Sequence, residues 1–104
     1  MAIKVNRSTG NVFRDLGFNP EEAARLLITA DLMVRLRQCI QRGKLTQAAA
    51  AKLFGVTQPR VSDLVRGKID LFSIDTLIDM LARAGVRVRV TIQRSQPRRR
   101  RQAA

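Results

Sequence analysis

The chain is 104 residues long, which allows one small domain whose modest core would gain from dimerisation. It carries 20 Lys and Arg against 8 Asp and Glu, a net charge of +12 that attracts polyanions, and it has no His, Trp or Tyr. Its lone cysteine, Cys39, excludes an internal disulfide and suits a reducing cytosol, and no apolar run approaches the length of a membrane span or a signal peptide's apolar region.

Residues 1–18 are mixed. Ile3 and Val5 alternate with Lys4 and Asn6 as in a short strand, until Ser8, Thr9, Gly10 and Asn11 break the pattern. Val12, Phe13, Leu16 and Phe18 are apolar and are expected to pack back on the helices rather than dock on another protein. Asn19-Pro20-Glu21-Glu22 then reads as a helix start: an N-cap, a proline at the first helical position and two carboxylates at the positive end of the dipole. The spacing of Ala23, Leu26, Leu27, Ala30, Met33, Leu36 and Ile40 predicts a helix to Arg42 with Gly43 as its terminator.

The most informative stretch runs from Leu45 to Lys68. Thr46 is the N-cap of a helix that passes through four alanines to Phe54 and stops at Gly55, a residue suited to the left-handed conformation. After Val56, Thr57 caps a second helix whose first turn holds Pro59 and which ends at Gly67. Two short helices around a glycine turn make a helix-turn-helix. On the second helix Val61, Leu64 and Val65 form the apolar stripe, leaving Gln58, Pro59, Arg60, Ser62, Asp63 and Arg66 outside it. A polar face at a helix N-terminus suits the major groove, with donors and acceptors for base edges and cations for phosphates.

Ser73 opens a further helix, ended by Gly85, whose buried stripe is Ile74, Leu77, Ile78, Leu81 and Ala82. Beyond Gly85 the period falls to two: Val86, Val88, Val90 and Ile92 alternate with Arg87, Arg89, Thr91 and Gln93, the pattern of a half-buried strand. Its partner is either Ile3–Val5 of the same chain or the same strand of a second copy across a two-fold axis. Residues 94–104 are an arginine-rich tail expected to be disordered. Neither a cysteine-based catalytic site nor a zinc site can be built without a His or a second Cys. Asp75 and Asp79 share a helix face but read as solvated, so no enzyme activity, cofactor or metal is expected.

Several of these residues carry a family resemblance. Leu45-Thr46-Gln47, Ala51-Lys52-Leu53, Gly55-Val56-Thr57-Gln58, Val61-Ser62 and Arg66-Gly67-Lys68 resemble the Xre/Cro-type, phage-repressor-like helix-turn-helix. The run Pro59-Arg60-Val61-Ser62-Asp63-Leu64, with Gly67-Lys68, Leu71-Phe72-Ser73, Asn11-Val12-Phe13 and Asp15-Leu16-Gly17, is similar to the narrower HigA-like antitoxins. The chain departs from the pattern at Ala48 and Ala49, where acidic residues are common, and at Ala50, which replaces a commoner leucine. The resemblance implies that residues before Asn11 are flexible until a toxin orders them. It also implies a second job, neutralising a toxin that is an mRNA-cleaving ribonuclease.

The fold expected is all-α, a helix-turn-helix bundle of four to five helices with one C-terminal strand used in dimerisation. Its domains would be a partly flexible segment 1–18, a DNA-binding domain 19–93 and the tail. The expected function is a cytoplasmic, nucleoid-associated homodimer that binds a palindromic operator in double-stranded DNA, represses its own operon and, by the resemblance, neutralises a toxin. The alternatives are a stand-alone Xre-family regulator without a toxin, and a nucleic-acid-coating protein acting by bulk charge. Gln58, Arg60, Ser62 and Asp63 are the candidates for base edges; Lys44, Gln47, Arg66 and Lys68 are those for phosphates; Val86, Val88, Val90 and Ile92 are those for dimerisation.

The tail allows a direct test. Removing its five arginines from +12 leaves +7, so the basic character does not depend on it. Deleting residues 94–104 should preserve the fold while flattening the salt dependence of binding to a random-sequence duplex. The log–log slope should fall by about 0.9 for each phosphate that the tail neutralises. An unchanged slope would leave the tail in solvent.

Overall fold

A computed structural model describes residues 16–93 and the backbone of residues 2–5; the expectations placed on residues 6–15 and 94–104 lie outside the described residues. In chain order the elements are β1 (Ala2–Val5), α1 (Pro20–Gly43), α2 (Gln47–Phe54), α3 (Gln58–Val65), a 3-10 turn (Ile69–Leu71), α4 (Ile74–Arg83) and β2 (Arg87–Val90). The chain is thus a mainly helical bundle with a C-terminal strand, as its periodicities imply.

All four helices begin on the N-cap residues expected, and at three of them the side chain makes the capping bond. Asn19 Oδ1 accepts from the Glu22 N–H at 2.8 Å, Thr46 Oγ1 from the Ala49 N–H at 3.1 Å, and Ser73 Oγ from the Thr76 N–H at 3.2 Å. Each bond satisfies one donor that the first helical turn leaves open.

The helix ends share one device. After α1 the N–H of Lys44 donates to Gln41 O and that of Leu45 to Ile40 O; after α2, Gly55 donates to Lys52 O and Val56 to Ala51 O. Gly67 and Lys68 repeat the pattern after α3, as do Gly85 and Val86 after α4. Each is a Schellman motif, with a left-handed residue followed by a residue that reaches back over the last turn. Leu45, Val56 and Val86 are the apolar followers and pack on the core.

At α1 the left-handed residue is Lys44 (φ 51°), not the expected Gly43, which is the last residue of the helix. Leu45 explains the shift. A Cβ at position 43 would lie 3.2 Å from Leu45 Cγ, so Gly43 leaves room for Leu45 to fold across the helix end. Moving the turn one residue earlier would make hydrophilic Lys44 the follower and carry Leu45 away from the core.

The buried face of α1 also differs from the expected stripe. Ala23, Met33 and Leu36 are buried as expected, but Leu26, Leu27, Ala30 and Ile40 are half-buried, and Thr29 and Leu32 are buried instead. Thr29 is tolerated there because its hydroxyl donates to Arg25 O at 2.8 Å, leaving its methyl for the core. On α4, Leu77 and Leu81 are joined by Met80, whereas Ala82 is exposed and Ile74 and Ile78 are half-buried. Before α1, Leu16 is 69% exposed and Phe18 39%, so these two do not pack back as fully as expected.

The C-terminal strand finds a partner within the chain. β1 pairs parallel with β2, with Ile3 opposite Val88 and Val5 opposite Val90. Parallel strands need a long crossover, and here the whole helical bundle supplies it. Because the pairing is within one chain, it does not itself join two copies.

Candidate nucleic-acid interface

α2 and α3 are each eight residues long, too short to be stable alone, so their geometry comes from what they pack on. Ala50 and Ala51 are buried where α2 packs against α3 and α4. Small side chains at these positions let the helices approach closely. Gly55 takes φ 72° in the turn between α2 and α3, a conformation that L side chains rarely adopt. Arg83 of α4 lies across this turn, with its Cδ 2.7 Å from where a Cβ on Gly55 would sit.

α3 buries only Val61 and Leu64; Val65, expected in the apolar stripe, is 40% exposed. Its N-cap is Thr57, as expected, but the side chain makes no capping bond. The cause is Pro59, which removes one donor that a cap would serve, while the Arg60 N–H is taken by Thr57 O at 3.1 Å. The Thr57 hydroxyl is therefore uncommitted at the exposed start of the helix.

The sequence candidates fall into three groups. Gln58 is exposed in the first turn of α3, and Ser62, one turn on, shares its face, with Asp63 adjoining; both of these are half-buried. Arg66 and Lys68 are exposed at the far end of α3, with the Lys68 N–H tied to Asp63 O at 3.1 Å. Lys44 and Gln47 are exposed around the start of α2. The short turn thus puts two groups of phosphate candidates on one continuous two-helix unit, with the base-edge candidates between them in the chain.

Arg60 is placed differently from its neighbours. Its Nη1 donates to Leu71 O at 2.9 Å, and its Cζ stands 5.3 Å from the centroid of the Phe72 ring. The guanidinium is thereby held on the protein by a hydrogen bond and a cation–π contact. Sequence periodicity carries no trace of this link, because Leu71 and Phe72 lie in a separate segment. The uncommitted Thr57 hydroxyl, by contrast, was readable from Pro59 two residues later.

A family model described as a helix-turn-helix domain matches residues 12–93. The chain belongs to that family. The match extends over all four helices and the C-terminal strand, and it makes this helix-turn-helix protein a DNA-binding regulator of Xre-like type. No curated protein matches the chain. Among the described residues of this helix-turn-helix protein, no helix is long and apolar enough to cross a membrane.

Lys44 gives a prediction with two opposite signs. It is the one described non-glycine residue with positive φ, so Lys44→Gly relieves strain in the folded state but raises unfolded-state freedom. The net gain should be about 0.5–1 kcal/mol, raising Tm by a few degrees, on the order of 2–8 °C. Binding to a random-sequence duplex should weaken nonetheless, with the salt slope lower by about 0.9 if Lys44 meets a phosphate. A lower Tm would refute the strain argument, and an unchanged slope would remove Lys44 from the interface.

Proposed function

We propose that this helix-turn-helix protein is a dimeric, sequence-specific repressor of its own operon that also neutralises a partner ribonuclease toxin. The observation that carries the DNA half is the polar side that α3 keeps off its buried stripe, with Gln58 exposed at its start, on a strongly basic family member. Gln58, Ser62 and Asp63 meet base edges from α3, with Arg60 beside them. Lys44, Gln47, Arg66 and Lys68 hold the flanking phosphates. Such contacts differ in kind: phosphate contacts set register and affinity, while base-edge contacts set sequence preference.

Two copies pair through the C-terminal strand, so that two reading helices span a palindromic site. Half-sites on one face of the duplex lie roughly 34 Å apart, and a single reading helix engages only one of them. Support comes from what the C-terminal segment leaves uncovered, its strand being the shorter Arg87–Val90. Val86, before the strand, is spent on the core and Val88 is half-buried, but Val90 is 62% exposed and Ile92, beyond the strand, 88%. These two border an apolar groove whose floor is Ile28, Leu32, Ile74 and Ile78. The edge of β2 away from β1 has no strand against it among the described residues. Antiparallel pairing of that edge with its own copy is isologous and closes at two.

The toxin half is supported by the resemblance of Pro59–Leu64, Gly67-Lys68 and Leu71–Ser73 to the HigA-like antitoxins. If the product of an adjacent reading frame arrests growth and co-expression of this chain relieves the arrest, the antitoxin reading stands. A harmless neighbour would leave a stand-alone regulator.

The DNA half is tested by selecting duplexes from a randomised pool. Gln58→Ala should weaken binding to the selected site by roughly 5- to 150-fold, the equivalent of one good base contact at about 1–3 kcal/mol. Binding to random duplex should stay within a factor of two or so, since no charge changes. Equal weakening of both would remove Gln58 from the base-reading set. Separately, Val90→Asp with Ile92→Asp should sediment as a folded monomer. A dimer that survives both charges would move the interface elsewhere, with the long helix α1 next in line.

A further inference from the structure

The first turn of α3 is poorly anchored by the usual means. Its N-cap side chain makes no bond and Pro59 supplies no N–H. The helix buries two side chains, Val61 and Leu64, and none before Val61. Among the described residues, Arg60 is the only side chain of α3 that makes a hydrogen bond. That bond leaves the helix altogether. It runs 2.9 Å from Nη1 to Leu71 O, the carbonyl of the last residue of the 3-10 turn, while the guanidinium lies 5.3 Å from the ring centroid of Phe72. Phe72 is itself fixed, being only 8% exposed and part of the core.

We propose that Arg60 is a positioning residue, a strut between the reading helix and the Leu71–Phe72 segment that sets the angle at which α3 meets DNA. The proposal rests on the reading of α3 as the base-contacting helix and gives Arg60 another task than the base contact its place in the sequence suggests. Chemistry favours arginine for it. The planar guanidinium can lie over a ring and donate in its own plane at once, whereas a lysine ammonium has no such plane. A bidentate contact to a guanine edge would require the side chain to give up both partners and swing outward. The strut also acts at a leveraged point. A small tilt at the first turn displaces Gln58, Ser62 and Asp63 together, so every base contact shifts at once.

That collective effect is what an experiment can read. The natural chain first selects a consensus duplex from a randomised pool. Binding is then measured to that duplex, to each of its single-base-pair variants and to a random duplex. The same panel is run with Arg60→Ala, Arg60→Lys and Phe72→Leu, each checked for folding by circular dichroism. Phe72→Leu keeps the core filled and Arg60 intact, so it carries the test if Arg60→Ala folds poorly. The expected result is a loss of about tenfold on the consensus for Arg60→Ala, a change equivalent to 1.4 kcal/mol, with Arg60→Lys close to Ala and Phe72→Leu shifted the same way. Discrimination should shrink at every consensus position, with none abolished alone.

Four results would overturn the proposal. One position turning permissive while the others hold would make Arg60 a direct base reader. Unchanged discrimination with fewer active molecules would make it a plain stabiliser, as would a Phe72→Leu variant that binds like the natural chain. A natural chain that selects no consensus would sink sequence-specific reading itself, and the strut with it, before any variant is compared.

Discussion

An eight-residue helix that buries two side chains cannot choose its own orientation, and most of the fold of this chain answers that constraint. Isolated helices of this length are unstable in water, so α3 exists because its surroundings hold it. Val61 and Leu64 sink into a core shared by Leu36, Phe54, Leu77 and Leu81, which fixes the helix against rolling. The Gly55 turn fixes one end relative to α2. Gly67 and Lys68 close the other end on Leu64 O and Asp63 O, so the chain leaves α3 along a defined path. Arg60 then ties the first turn sideways to the segment that this path leads into. The polar face is kept free of packing duties because the packing is confined to so few residues.

Helix ends do much of the remaining work. Four Schellman turns each bend the chain sharply, and three hand an apolar residue back to the core: Leu45, Val56 and Val86. Short connections of this kind let four helices share one core without long loops. The same economy explains how a bundle of this size can leave Val90 and Ile92 uncovered. The core is complete without them, and the parallel pairing with β1 holds the strand that ends at Val90, two residues before Ile92. Exposed apolar side chains on a well-held strand are the condition for an interface rather than for a collapsed core.

The sequence showed well what local chemistry decides. Asn19, Thr46 and Ser73 cap the helices their spacing predicted, and Gly55 turns where its lack of a side chain allows. It showed poorly what one element imposes on another. Lys44 takes the left-handed position because Leu45 must reach the core, a demand set outside α1. Thr29 is buried because of what packs on α1, and its hydroxyl finds a partner one turn back that no periodicity rule counts. Pairing of β1 with β2 was one of two partners that alternation left open, since period two names a strand but not its neighbour. At the interface, position on the helix wheel nominated Arg60 beside Gln58, Ser62 and Asp63, yet the wheel cannot see Leu71 O or the Phe72 ring.

Charge and specificity are separate quantities in this molecule. A net charge of +12 binds any duplex, and binding of that kind carries no sequence information. On the proposed reading, preference must then come from groups that add little or nothing to the attraction. Gln58 is neutral and Ser62 small. Asp63 is an acidic side chain in a strongly basic protein, where it repels phosphate and gains only from a donor such as the amino group of cytosine. With Arg60 held by Leu71 and Phe72, the reading face loses its one strong cation and its default attraction to guanine. What remains is a set of weak, discriminating contacts whose value depends on correct placement. A helix that reads with such groups has more need of a rigid mount than one that reads with arginine.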